Sequence, residues 1–268
     1  MTTMKTIVTF LVLLTCGGAF ASGGADVRLD PAPIHRLDAE SLQRGARNFV
    51  NYCLSCHSAK YMRYEQLKKI GLSEAQIKDN LMFGTDKIGS TMTVAMTAAE
   101  GKAWFGAVPP DLSVEARIRG TDWLYNYLLA FYKDDATPTG WNNLVFPNVG
   151  MPHVLWTLSG PGQLRTIEFD SHEKAAAAAI AKKGLVRVDP GPNGRYLVRT
   201  VDADPNAPGA MSATEYQAFV ADLVNFLDFM AEPNRNDRIQ LGILVLMYLA
   251  LLFVLVYSLK RMYWKDVH

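Results

Sequence analysis

The chain has 268 residues, of which 49% are hydrophobic and 20% charged, so it is neither disordered nor collagen-like and can build a real core. Its 27 basic and 26 acidic residues leave a net charge of +1, which gives no electrostatic footprint for nucleic acid. At roughly 100–200 residues per domain the length allows one or two domains, and much of the hydrophobicity gathers at the two ends.

Lys5, the apolar run over residues 7–14 and Ala19-Phe20-Ala21 form the three regions of a secretory signal peptide, expected over residues 1–21. That run is too short to cross a bilayer as an anchor. A head domain then occupies residues 22–237. Residues 38–52 read as an amphipathic helix with Leu42, Ala46, Phe49 and Val50 on its apolar face and Asp38 as N-cap. Gly45 on the same face allows another helix to come close.

Next comes Cys53-Leu54-Ser55-Cys56-His57, the C-x-x-C-H attachment site of c-type haem. Two thiols at this spacing can add to the two vinyl groups along one haem edge, and the adjacent imidazole is then held where its nitrogen can ligate iron. A structural disulfide would not need His57. A thioredoxin-like redox pair sits in an alternating strand and helix pattern that is missing here. A zinc site needs two more ligands, and no second C-x-x-C or H-x-x-x-H follows. Covalent haem c, one per chain, is therefore the expected cofactor.

Helical pattern resumes over residues 64–70, ending at Gly71, and a short helix follows over residues 73–81. Residues 84–113 are rich in Gly, Thr and Pro and read mainly as loop. Residues 121–131 form a short amphipathic helix with Trp123, Leu124, Tyr127 and Leu128 towards the core, and residues 134–153 read as loop again. Residues 160–210 look inserted. They hold an Ala-rich helical patch over 174–183 and a hairpin of residues 185–188 and 196–201 around Pro190-Gly191-Pro192-Asn193-Gly194. The clearest helix spans residues 212–230, opened by a Ser212/Glu215 capping box and ended by Pro233, and it can pack on the first head helix.

No charged residue occurs from 239 to 259, and 21 residues at ~1.5 Å each cross about one hydrocarbon core. Residues 238–260 are thus a transmembrane anchor, flanked by Arg238 on one side and by Lys260, Arg261 and Lys265 on the other. The positive-inside rule puts the tail, residues 261–268, in the cytoplasm and the head outside the inner membrane. Without leader and anchor, the head keeps 22 basic and 25 acidic residues, a mild acidity that suits a basic soluble partner.

An electron carrier needs a second axial ligand, and a Met sulfur favours ferrous iron and raises the potential. Met82, Met92 and Met96 are candidates, as are His35, His153 and His172, whereas Met62 is too near His57. Met151 stands out because Gly150 and Pro152 flank it, after Phe146-Pro147-Asn148, so an extended loop presents its side chain.

Together these residues give the chain a family resemblance. It resembles the bacterial cytochrome c1 family, the haem subunits of ubiquinol–cytochrome c oxidoreductase. The likeness rests on Cys53-Leu54-Ser55-Cys56-His57, then Gly106-Ala107-Val108-Pro109-Pro110-Asp111-Leu112-Ser113 with Arg117. It continues through Asn143-Leu144-Val145-Phe146-Pro147-Asn148-Val149-Gly150-Met151, then Ala231-Glu232-Pro233 and the anchor with Lys260-Arg261. The attachment motif fits any c-type cytochrome, while the other segments and the single C-terminal anchor are far more specific. Residues 160–210 depart from the family pattern in length and content.

The resemblance implies a mostly α, c-type cytochrome fold with long loops, a small β-hairpin insertion and one C-terminal transmembrane helix. It implies His57 and Met151 as iron ligands and Pro109 and Pro110 along the haem, where a backbone carbonyl can orient His57. It also implies Arg117 near a haem propionate, with Arg119 close enough to compete for that role. Implied partners are cytochrome b, a Rieske iron–sulfur subunit as electron donor and a periplasmic c-type cytochrome as acceptor. No acid, base or nucleophile is expected, since electron transfer needs none. A stand-alone anchored c-type carrier, or the haem subunit of another oxidase or dehydrogenase, uses the same chemistry. A haem-based sensor would need an output module that the short tail cannot hold.

Overall fold

The computed structural model of the protein describes residues 26–182 and 184–266. The expected signal peptide lies outside them. Strand β1 (Asp26–Arg28) leads to helix α1 (Ala39–Tyr52), strand β2 (Ala59–Arg63) and a 3₁₀ segment (Tyr64–Ile70). Helix α2 (Glu74–Leu81), strand β3 (Thr91–Met92), α3 (Ala98–Phe105), α4 (Glu115–Arg119) and α5 (Thr121–Leu129) follow. Strands β4 (Phe131–Lys133) and β5 (Trp141–Asn143) precede the short helix α6 (Trp156–Ser159). Strand β6 (Gly162–Phe169), helix α7 (His172–Ala181) and strands β7 (Val186–Pro190) and β8 (Tyr196–Ala203) lie within residues 160–210. Helices α8 (Ala213–Ala231) and α9 (Arg235–Tyr263) end the chain.

The core of the head lies where α1 meets α8. Asp38 caps α1 by accepting from the Ser41 N–H, and Ser212 with Glu215 forms the expected capping box on α8. The two helices run in opposite senses, with Ser41 beside Asn225 and Tyr52 edge-on to Phe219. Gly45 permits the contact, since a Cβ there would fall 2.1 Å from the Asp222 carbonyl oxygen and 2.6 Å from Phe226 Cβ. Phe49 and Phe226 fill the space beyond, ring centroids 5.7 Å apart, both fully buried.

Elsewhere long-range contacts override the local pattern. The segment after the attachment motif is 3₁₀ rather than α, with Tyr64, Leu67 and Ile70 buried at a spacing of three. Its first amides are paired outside the segment, Tyr64 N–H with Ser90 C=O and Glu65 N–H with Ile88 C=O. The stretch expected to be mainly loop over residues 84–113 contains α3, opened by a Thr97/Glu100 capping box. Residues 134–153, also read as loop, contain β5, which pairs antiparallel with β4. The expected hairpin exists as β7 and β8, but it is the centre of a four-stranded sheet in the order β1-β7-β8-β6. Strand β6 is largely exposed on both faces, so it shows no alternation to read.

Helix α9 is 29 residues long, apolar and without a buried residue, so it is able to cross a membrane. Its first turn is tied to the head by Lys69, which reaches Asn234 and Asp237, and by an Arg238–Glu232 pair at 2.6 Å.

Candidate functional site

Helix α1 delivers the attachment motif. The Cys53 N–H still bonds the Phe49 carbonyl at 2.9 Å, and the chain then turns tightly, with Cys56 N–H and His57 N–H both bonded to the Cys53 carbonyl. Cys53 and Cys56 are unpaired thiols, both half-buried.

The Pro-Pro-Asp-Leu-Ser segment is strapped along the chain that follows His57. Leu112 N–H donates to the Ser58 carbonyl at 2.8 Å, Lys60 N–H to Asp111 Oδ2 at 2.9 Å and Tyr61 N–H to Ser113 Oγ at 3.0 Å. Burial of Asp111 opposes its charge, but bonds from Ser113 and the Lys60 amide outweigh it and hold the carboxyl below its ordinary value. The strap aims the Pro110 carbonyl at His57 Nδ1, 2.7 Å away. Nδ1 therefore carries the proton, and Nε2, with no protein partner among the described residues, keeps its lone pair for a metal. Burial lowers the His57 pKa, which favours this neutral imidazole. On the other side Pro109 packs on α3, where a Cβ at Gly101 would fall 2.9 Å from Pro109 Cδ.

Two buried amides shape the loop that carries Met151. Asn143 Oδ1 accepts from the Val145 and Phe146 amides, and its Nδ2 donates to the Tyr127 carbonyl at 2.8 Å. Asn142 Oδ1 accepts from the Asn148 amide at 2.8 Å, and Asn148 takes a left-handed φ of 60°. The Tyr127 hydroxyl, in turn, donates to Met151 Sδ at 3.4 Å. Burial pushes the Tyr127 pKa upward, so this hydroxyl stays protonated.

These three segments line one largely apolar cleft. Cys53, Cys56, His57, Pro109, Pro110 and Met151 all face it, with Leu223 and Leu227 of α8 at its floor. Arg117 is exposed and is not among the lining side chains. Arg119 is, held by Glu115 at 3.1 Å and lying 4.7 Å over the Trp123 ring. The other ligand candidates sit elsewhere. Met82 and Met92 are in the core, and His35 is exposed. Met96 lines a separate depression, behind Val108 and Pro109. His153 is buried flat against Phe131, with Nε2 2.9 Å from Ser159 Oγ, and burial lowers its pKa to about 4. His172 packs edge-on to Tyr196.

Sequence reading left Arg119 beside Arg117 as the competing arginine, and of the two only Arg119 lines the cleft; it missed Tyr127 as a donor to sulfur, and Asn142. The paired Asn142-Asn143 before a turn with Asn148 was a usable sign, because Asn amides mimic backbone in turns. The donor set suits haem c: thiols two residues apart, an imidazole with one free nitrogen, a thioether sulfur and an apolar enclosure.

Comparison with known proteins agrees. A model of the cytochrome C1 family matches residues 31–83 and 209–267. Those stretches hold the attachment motif, the two core helices and the whole of the anchor helix. The chain is 42% identical to "Cytochrome c1" of Allochromatium vinosum over 98% of this chain and 99% of that one. It is 44% identical, with the same coverage, to "Ammonia monooxygenase gamma subunit" of Nitrosomonas europaea. Against "Cytochrome c1" of Rhodospirillum rubrum the identity is 26% over 98% of this chain and 97% of the relative. Likeness of this extent along the whole chain shows that the protein belongs to the cytochrome c1 family, whose covalent haem c is the group that the cleft at Cys53 and Cys56 is shaped to receive.

Proposed function

We propose that this chain relays electrons, one at a time, from a Rieske iron–sulfur protein to a periplasmic c-type cytochrome. As a cytochrome c1 it is the haem-carrying electron-transfer subunit of the bc1 complex, beside cytochrome b and the Rieske subunit. When bound, haem c supplies a one-electron ferric/ferrous couple.

This chain's residues set where that couple sits and how easily it is reduced. Cys53 and Cys56 fix the ring by thioether bonds. His57 and Met151, which face the same cleft, would hold the iron, and two protein ligands kept in both oxidation states would leave little to move on transfer. The apolar lining excludes water and disfavours the extra positive charge of the ferric state. Pro109 and Pro110 would border the ring beside His57, and Arg119, which lines the cleft, would pair with a propionate. Val108 and Phe146 line the cleft and are also exposed, so one edge is open to docking partners. Helix α9 anchors the head in a bacterial inner membrane, with the haem on the periplasmic side and Lys260 and Arg261 at the cytoplasmic face.

The observation that carries this reading is the fixed His57 tautomer, 2.7 Å from the Pro110 carbonyl, in one cleft with the Met151 sulfur. It also favours a carrier over an oxygenase of the kind named for the Nitrosomonas relative. Oxygen activation needs an open iron position, and here two side chains can close both.

The test is a reduced-minus-oxidised spectrum of the tagged chain isolated in mild detergent. About two b haems per c haem, with a Rieske signal, are expected from the family's complex. Removing the Rieske subunit should abolish quinol-driven reduction of haem c. Unchanged reduction without it would overturn the proposed electron donor.

A further inference from the structure

The Tyr127 hydroxyl is the one polar side-chain group that touches the Met151 sulfur among the described residues, at 3.4 Å. Its position is heavily determined. The ring is stacked on Trp123, 4.9 Å between centroids at 10°, and meets Phe131 edge-on at 5.1 Å. Trp123 is covered in turn by the Arg119 guanidinium, and the Tyr127 carbonyl is held by Asn143, which also shapes the Met151 loop. A thioether sulfur has two lone pairs. One suffices for iron, and the other can accept this hydrogen bond.

We propose that Tyr127 is a positioning residue that tunes the reduction potential by donating a hydrogen bond to the axial sulfur of Met151. The proposal rests on Met151 being the iron ligand. The bond draws electron density from the sulfur and makes it a weaker donor. Ferric iron loses more from this than ferrous iron, so the ferrous state is favoured and the potential rises. The bond also holds the sulfur in one orientation, with its second lone pair directed at the iron position. The phenol ring serves packing, and the oxygen alone serves this role.

The experiment uses the full-length, haem-loaded chain in its membrane complex, with potentiometric titration and the near-infrared sulfur-to-iron charge-transfer band of the oxidised protein as readouts. Tyr127→Phe keeps the ring and removes the oxygen. It should shift the couple towards ferric by about fivefold, the weight of one ordinary hydrogen bond, or roughly 40 mV downward at 59 mV per decade. The band should persist at a changed energy. Incorporation of 3-fluorotyrosine at position 127, a more acidic donor, should move the potential upward, and it carries the test by itself should Tyr127→Phe fail to accumulate with haem. An unchanged potential and band in Tyr127→Phe would overturn the proposal. A shifted potential with an unchanged band would also overturn it, by placing the hydroxyl on a propionate instead. Absence of the band from the unsubstituted protein would overturn the Met151 assignment itself, which is a separate failure.

Discussion

Three side chains decide how the cleft behaves, and each can be tested singly. Met151→Leu removes the soft ligand without changing bulk much. The potential should fall, and the ferrous protein should bind carbon monoxide, whereas the unsubstituted protein, with Met151 on the iron, should not. A variant with unchanged potential and no binding would refute the axial role. The cleft arginine is decided by a pair of variants. Arg119→Gln should lower the potential and make it more dependent on pH, because a propionate loses its partner, while Arg117→Gln, on a side chain outside the cleft lining, should leave both unchanged. Asp111 acts one step back, by holding the strap that aims Pro110. Its carboxyl lies below its ordinary value of about 4. A depressed carboxyl stabilises the fold above its unfolded pKa and loses that contribution as pH falls through the folded value. Asp111→Ala should therefore cost about 1–3 kcal/mol at pH 7, the price of two or three charge-assisted bonds. In thermal unfolding, the gap to the unsubstituted protein should narrow towards pH 3.

Among elements, the contact of α1 with α8 matters most, because α1 presents both thiols and α8 supplies the floor of the cleft. Gly45→Ala would drive a methyl into the backbone of α8, 2.1 Å from the Asp222 oxygen, and no rotamer can relieve a backbone clash. The helices must separate, at a cost of roughly 1–3 kcal/mol. Lower thermal stability with a loss of covalently bound haem is expected, read by melting and by haem stain. An unchanged melt would show that the helices can slide apart freely. The two-stranded pair β4 and β5 has a comparable role for the other wall. It holds Asn142 and Asn143 in place, and these turn the chain towards Met151.

At the scale of the whole molecule, the head and the apolar helix make separate claims. The core of the head is formed by α1, α5 and α8 with the segments packed on them, and α9 contributes no buried residue to it. A chain ending at Asn234 should therefore fold, take up haem and fractionate as a soluble protein, whereas the full chain should remain in the membrane after carbonate extraction. Retention of the shortened head in the membrane would place part of the anchoring in the head surface. The insertion is a third unit, with its own small cluster of Ala175, Val186 and Val198, joined to the head where Gly162 passes close to the Phe131 carbonyl.

Several features were legible in the residues alone because they depend on neighbours in sequence. The attachment motif, the capped helices α1 and α8, the hairpin turn and the apolar anchor are all short-range patterns, and Gly45 announced a close helix contact. Met151 was distinguishable from the other methionines by the Gly and Pro around it. The 3₁₀ turn, β5 and β6 were not legible, since each depends on backbone partners far along the chain. The same is true of the choice of Arg119 over Arg117 as a lining residue, which turns on where a five-residue helix points. Sequence by itself determined the cofactor chemistry and the membrane anchor, because covalent attachment and bilayer crossing are set by local spacing and length. Only the tertiary structure decided the environment of the ligands: the carbonyl that fixes His57, the hydroxyl on the Met151 sulfur and the edge left open. Those contacts join residues 24 to 53 positions apart, and only packing brings them together.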